Sequence, residues 1–296
     1  MPLALISQLV KAARARSYAL GYFESWNLES LQGVLDAAEA TRSPIIIGFN
    51  GDFLSRRERR TEERLQWYAQ LGRVAAETAT VPCGLIFNEC PLDDWVMAAA
   101  TAGFNLVMPA DPEARPEDYT HRVKTITAHA HRCGAAVEAE MGELPCGLSG
   151  QVTANGPLTN PEAAACFVRE TGVDLLAVSV GNVHIMLRGR QELDLGWLEK
   201  IHRQIPEVPL ALHGGTGIGG ESVKQAIGLG VVKVNYGTYL KQRYLSAVRA
   251  ALGQDQANPH ELYGLGGEHD VMVAGRLAVR EAVLERIELL GCCGKA

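Results

Sequence analysis

Eight short apolar runs, each followed by an amphipathic stretch, recur along the chain, and this alternation constrains the fold more than any other feature. The runs at 19–24, 44–50, 83–89, 106–110, 135–141, 175–180, 209–215 and 231–236 are rich in β-branched and aliphatic residues and read as strands. Helical spacing follows most of them. After the first run Asn27 can cap a helix, and Leu28, Leu31, Val34, Leu35 and Ala38 fall on one face. Further helices are expected over 56–78, 92–102, 116–132, 161–171, 194–204, 221–229 and 238–252. Repeated strand-helix units imply an α/β fold with parallel strands, and eight such units close into a barrel that leaves no edge to protect. The expectation is a (β/α)8 TIM barrel over residues 1–296 as one domain. A helical extension is expected from about 258 to 296, with its main helix over 271–290.

A chain of 296 residues is long for one domain but ordinary for this barrel, and 47% hydrophobic with 21% charged residues is globular composition. The net charge of -6 gives no reason to expect nucleic acid or an anionic membrane as partner. No run approaches the roughly 18 apolar residues of a membrane span, and residues 1–16 lack a cleavable leader pattern. Seven cysteines without paired spacing read as reduced thiols, so a cytoplasmic protein acting on small molecules is expected.

Chemistry in such barrels gathers at the C-terminal strand ends. Those ends supply Asn50, Asn88 with Glu89, Glu138 with Glu140, His184, His213 with Gly214 to Gly217, and Asn235 with Gly237 and Thr238. The stretch 144–160, broken by Pro145, Gly147, Gly150, Gly156 and Pro157, follows the fifth strand and reads as a mobile lid or as an ordinary surface loop.

His213 opens directly into Gly-Gly-Thr-Gly before a helix, and Val-Lys-Val-Asn-Tyr-Gly-Thr at 232–238 repeats that device one strand later. Glycines let backbone N–H groups approach an anion, and the following helix N-termini add positive partial charge. The pair of loops matches the phosphate site that barrels build after strands seven and eight, with Gly214, Gly215, Thr216, Asn235, Gly237 and Thr238 as candidate contacts. Asn50 joins them as a candidate substrate contact. His184 and His213 with the Glu89 carboxylate are the donor types that a zinc ion accepts while keeping a position open, and Glu140 belongs to the same candidate ligand set. The alternative reading of Glu89 is a solvated strand-end carboxylate.

Several segments resemble the class II fructose-bisphosphate and tagatose-bisphosphate aldolases. They are Val-Glu-Ala-Glu at 137–140, Thr-Gly-Val-Asp-Leu-Leu-Ala-Val at 171–178, Leu-His-Gly-Gly-Thr-Gly-Ile at 212–218, Gly-Val-Val-Lys-Val-Asn at 230–235 and the closing Gly-Lys-Ala. The resemblance implies a zinc ion, or another divalent metal, held by three histidines and acting as a Lewis acid on the carbonyl of a ketose phosphate. Two of those ligands correspond to His184 and His213. It also implies that Gly181 and Asn182 lie in a loop that binds phosphate and a monovalent cation, and that the protein is a homodimer or homotetramer.

The same comparison exposes departures. Where the family has His-x-Asp-His, this chain has Ile86-Phe87-Asn88-Glu89, so the catalytic acid is replaced by an amide and a histidine ligand by a carboxylate. The family's loop motif Gly-Gly-x-Glu-Asp has no counterpart after Glu143, leaving Glu143 as the local proton-handling candidate. Ile185 stands where glycine follows the sixth-strand histidine, and Phe23-Glu24 replaces Phe-Asn. Asn88, Glu89 and Glu143 are therefore the candidate catalytic residues. The leading expectation is a metal-dependent carbon-carbon lyase of aldolase type on a phosphorylated ketose or related phosphate ester, with ordinary fructose-bisphosphate cleavage suppressed. The alternatives are an isomerase or epimerase on a sugar phosphate, and a non-catalytic sugar-phosphate binder.

Overall fold

The computed structural model describes residues 3–142, 144, 146–147, 156–186, 189–253 and 258–296. Eight parallel strands form a closed barrel: β1 (Leu20–Ser25), β2 (Ile45–Asn50), β3 (Cys83–Cys90), β4 (Leu106–Pro109), β5 (Ala136–Met141), β6 (Leu175–Val178), β7 (Leu210–Leu212) and β8 (Val231–Tyr236). They neighbour one another in chain order, and β8 pairs with β1 through Leu20 opposite Lys233 and Tyr22 opposite Asn235. Burial on both faces explains the near-continuous apolar sequence: every residue of Ile45–Asn50 and of Val231–Tyr236 is buried. Fully burying one such side chain stabilises by about 1.5–3 kcal/mol.

The expected strands are present with shorter ends. β7 stops at Leu212 because Gly214 takes a left-handed backbone, φ +67, that an extended strand cannot continue. The first of the expected helices follows its cap. Asn27 and Ser30 form the reciprocal capping box of α2 (Leu28–Ala40), the Asn27 side chain accepting from the Ser30 N–H at 2.9 Å.

One helix was not anticipated, and one expectation needs correction. Ten N-terminal residues form a helix, α1 (Ile6–Ala15), which packs under the barrel where the Ala4 N–H donates to the Cys83 carbonyl at 2.9 Å. The single helix expected over 56–78 is instead α3 (Gly51–Ser55) and α4 (Leu65–Thr78), separated by a turn-rich stretch. The intervening Arg-Arg-Glu-Arg-Arg run has no apolar face to bury, so helix resumes only at Leu65.

The remaining outer helices are α5 (Asp93–Ala102), α6 (Pro116–Arg132), α7 (Pro161–Thr171), α8 (Leu195–Gln204), α9 (Gly220–Gly228) and α10 (Thr238–Leu252). Beyond the short α11 (Pro259–Leu262), α12 (Val271–Leu290) packs on α2 and α10 outside the barrel. It is tied there by the Arg276 guanidinium on both Asp36 oxygens at 2.6 and 2.8 Å. Most of the expected lid, with Glu143, lies outside the described residues. No described helix is long and apolar enough to cross a membrane.

Candidate active site

Strand geometry aims the functional side chains inward. Successive side chains alternate, so Glu138 and Glu140 share one face of β5, as Lys233 and Asn235 do on β8. Glu89 needs a different device. The β3–β4 register shifts between Phe87 and Cys90, and Glu89 adopts φ +54, an uncommon conformation for a side-chain-bearing residue. Strain of this kind persists only where the surroundings fix it, and here it brings Glu89 to the two histidines.

Glu89 Oε2 lies 3.2 Å from His184 Nε2, and Glu89 Oε1 lies 3.4 Å from His213 Nδ1. Glu140 Oε2 lies directly against the same Nδ1. On the opposite side of the ring, His213 Nε2 stands 2.9 Å from Glu138 Oε1, and the fully buried Lys233 ammonium sits 2.9 Å from both oxygens of that carboxylate. The Asn50 side-chain amide donates to Glu89 Oε2 at 2.9 Å.

These contacts set the charges. Burial pushes the Glu89 carboxyl up, but the His184 and His213 imidazoles overcome it and hold Glu89 below the usual carboxylate range. Burial likewise opposes ionisation of Glu138, and Lys233 with His213 outweighs it, so its carboxyl is lowered. The Glu89 carboxylate raises His184 to about 9. His213 is disfavoured as a cation by burial, yet Glu140, Glu138 and Glu89 carry it to about 10.

The donor set has the chemistry of a divalent-metal site. With Nε2–H committed to Glu138, a neutral His213 would turn the Nδ1 lone pair toward the side where Glu89 and Glu140 lie. Glu89 bridges the two rings, one oxygen 3.2 Å from His184 Nε2 and the other 3.4 Å from His213 Nδ1, so two imidazoles and a carboxylate meet at one place. Among the described residues, no group of three or more His, Cys, Asp or Glu side chains is already spaced as a cation cluster. The carboxylates instead contact the imidazoles directly.

A cavity of about 290 Å³ adjoins this cluster, and its walls include Asn50, Asn88, Glu89, His184, Gly214, Thr216, Asn235, Gly237 and Thr238. The sequence-derived phosphate loops thus meet at one pocket. Thr216 ties them together, its hydroxyl accepting from the Tyr239 N–H at 3.1 Å, and the Asn235 amide reaches Asn88 Oδ1 at 3.5 Å. A second cavity, of about 970 Å³, shares Asn50, Phe53, Glu89, His184 and Ile185 with the first and adds Glu140. The cluster therefore stands at the junction of a small polar pocket and a larger cleft.

Three expected contacts do not line the small pocket. Asn182 is committed within the loops, accepting from the Val180 N–H at 2.9 Å and donating to the His213 carbonyl at 3.1 Å. Gly181 stands beside it, and Gly215 is buried against Val234 and the Asn235 carbonyl. Sequence reasoning passed over Lys233, Lys241, Tyr22 and Phe53. Lys233 had a readable signal, since a lysine inside an apolar strand must have a buried counter-charge.

Comparison with known proteins finds relatives along the whole chain. The family profile Fructose-bisphosphate aldolase class-II matches residues 5–295. The chain is 33% identical to the Escherichia coli K12 protein named Uncharacterized protein YdjI over 285 residues, covering 96% of each. It is 31% identical to a fructose-bisphosphate aldolase of Geobacillus stearothermophilus, covering 100% of this chain and 99% of that one. The crystal structure described as the YdjI aldolase from Escherichia coli K12 superposes with a TM-score of 0.82 at 32% identity, covering 99% of both chains. Barrel, pocket and full-length similarity lead to one conclusion: the chain belongs to the class II fructose-bisphosphate aldolase family.

Proposed function

We propose that this protein is a divalent-metal-dependent carbon-carbon lyase that cleaves a phosphorylated ketose or related phosphate ester with altered specificity. The observation that carries the reading is the convergence of His184, Glu89 and His213 at the junction of the two cavities, beside paired glycine loops. His184, His213 and Glu89, with Glu140 alongside, would hold zinc or a comparable divalent ion. When bound, such an ion supplies Lewis-acid polarisation of a substrate carbonyl.

The chain's own groups divide the remaining work. Gly214, Thr216, Asn235, Gly237 and Thr238, gathered on one cavity wall ahead of α10, orient the phosphoryl end. Gly181, Gly215 and Asn182 shape those loops from behind, where the fold could also seat a monovalent cation. Glu138, kept ionised by Lys233, fixes the His213 ring. The larger cleft receives the rest of the substrate. Asn88 can orient a substrate hydroxyl but cannot exchange its proton as a carboxylate does. Glu89 and Glu143 are the remaining candidates for that transfer. A cytoplasmic homodimer or homotetramer fits the family.

A second reading, isomerisation or epimerisation of a sugar phosphate, is favoured by that same amide at Asn88. Product analysis separates the two. After loading with zinc, cobalt or manganese, a panel of phosphorylated ketoses should release two carbon fragments, one of them a triose phosphate. Conversion to a single isomeric product overturns the lyase reading. Stoichiometric binding without turnover of any of them would mark a non-catalytic binder.

A further inference from the structure

On the wall of the small cavity, Glu24 from the end of β1 meets Lys241 from α10. The Lys241 ammonium lies 2.5 Å from Glu24 Oε1 and 4.1 Å from the centroid of the Phe53 ring, with Trp26 at 5.7 Å. Both charged residues line the cavity together with Gly214, Thr216, Gly237 and Thr238. Glu24 is buried, with 7% of its surface exposed. We propose that Lys241 is a phosphate-binding residue of this pocket and that Glu24 is its positioning residue, holding the ammonium over the cradle until a phosphoryl group shares it. This rests on the phosphate-cradle reading given above.

Three features carry the inference. The first is the position of Lys241. It is the fourth residue of α10, where a positive charge opposes the helix dipole and so costs stability by itself. An anion placed against the same helix terminus removes that cost, and the cavity in front of it is large enough for a phosphoryl group.

The second is the reach of Gly237. A side chain there would bring its Cβ within 2.2 Å of Glu24 Oε2, so the absence of a side chain in the phosphate loop is what admits the Glu24 carboxylate. Loop and ion pair are thus one packed unit. The third is the aromatic support: the Phe53 face holds a cation in place without supplying a competing anion, which leaves ammonium donors for a ligand. A bare carboxylate at this wall would repel a phosphate dianion, and Lys241 cancels that repulsion while adding a charge-assisted hydrogen bond.

The test uses inorganic phosphate as probe, titrated calorimetrically into the full chain loaded with divalent metal. The wild type, Lys241→Met, Lys241→Arg and Glu24→Gln are compared. Lys241→Met should weaken phosphate binding about 10-fold or more, as expected for losing a charged hydrogen bond, and Lys241→Arg should stay within about 3-fold of the wild type. Glu24→Gln should tighten phosphate, because the ammonium is released from its partner. Thermal melting confirms that each variant is folded, and the arginine variant separates loss of charge from loss of packing. Equal phosphate affinity in the wild type and a folded Lys241→Met overturns this inference while leaving the cradle intact. Absence of saturable phosphate binding by the wild type overturns both.

Discussion

Glu138 Oε1 accepts from His213 Nε2 at 2.9 Å while the buried Lys233 ammonium neutralises the same carboxylate, so the orientation of a candidate metal ligand depends on an ion pair between β5 and β8. Partners of this kind fix the tautomer and basicity of a ligating imidazole. Glu138→Gln should lower zinc affinity about 10- to 100-fold, measured by competition with a chelating dye.

The same substitution strands Lys233 without a counter-charge. Removing one member of a buried pair destabilises by about 3–5 kcal/mol, whereas replacing both is often close to neutral. Urea denaturation should therefore show Glu138→Gln/Lys233→Met to be more stable than Glu138→Gln alone. A double variant at least as unstable as the single one would mean that the pair does not act as a unit.

The metal reading makes its own demand. Purified under gentle conditions, the protein should carry about one divalent ion per chain by elemental analysis, and His184→Ala and His213→Ala should each abolish it. Glu89→His should bind zinc at least as tightly as the wild type, because an imidazole replaces a carboxylate among the donors. Full occupancy in His213→Ala would sink the proposed ligand set.

Asn88→Asp tests the missing acid. Asn88 is buried at the cavity wall and its amide oxygen faces the Asn235 amide at 3.5 Å, so an aspartate is accommodated with little change of shape. General acid-base catalysis contributes about 10²- to 10⁴-fold. Cleavage of fructose bisphosphate should accordingly rise at least about 10-fold in Asn88→Asp, read as triose phosphate release. An unchanged rate would assign the proton transfer to another group.

The barrel was legible because its strands are buried on both faces and need no alternation to be recognised. β8 (Val231–Tyr236) and α12 (Val271–Leu290) were bounded to the residue by apolar content ending at Gly237 and Gly291. α1 was not legible: Leu5 offers no side-chain cap, and basic residues interrupt its short apolar face, so only packing beneath the barrel declares it. Among site residues, His184, His213 and Glu89 were visible as strand-end polar groups. The partners that fix their charges were less so. Lys233 looked like one polar residue in an apolar strand, and Lys241 like an exposed helix residue, because the sequence does not show that one meets a carboxylate of β5 and the other a carboxylate of β1.

The C-terminal helix is held at its start by an acidic cap. Asp270 caps α12, with Oδ2 accepting from the Gly264 and Gly266 N–H groups at 2.8 and 2.9 Å and Oδ1 accepting from Met272 at 2.9 Å. Burial alone would raise this carboxyl, but the donations from Gly266, Gly264 and Met272 hold it below the usual value. A carboxyl lowered on folding contributes stability that is present above its unfolded value, about pH 3.9, and is lost as pH falls through the folded one. Asp270→Ala should cost about 1 kcal/mol at neutral pH, the usual worth of such a cap. Asp270→Asn keeps an acceptor oxygen but loses the charge that favours a helix N-terminus, so its deficit relative to the wild type should shrink between pH 6 and pH 3 in urea denaturation. A deficit that stayed constant across that range would show that the carboxylate charge plays no part in anchoring α12 on α2 and α10.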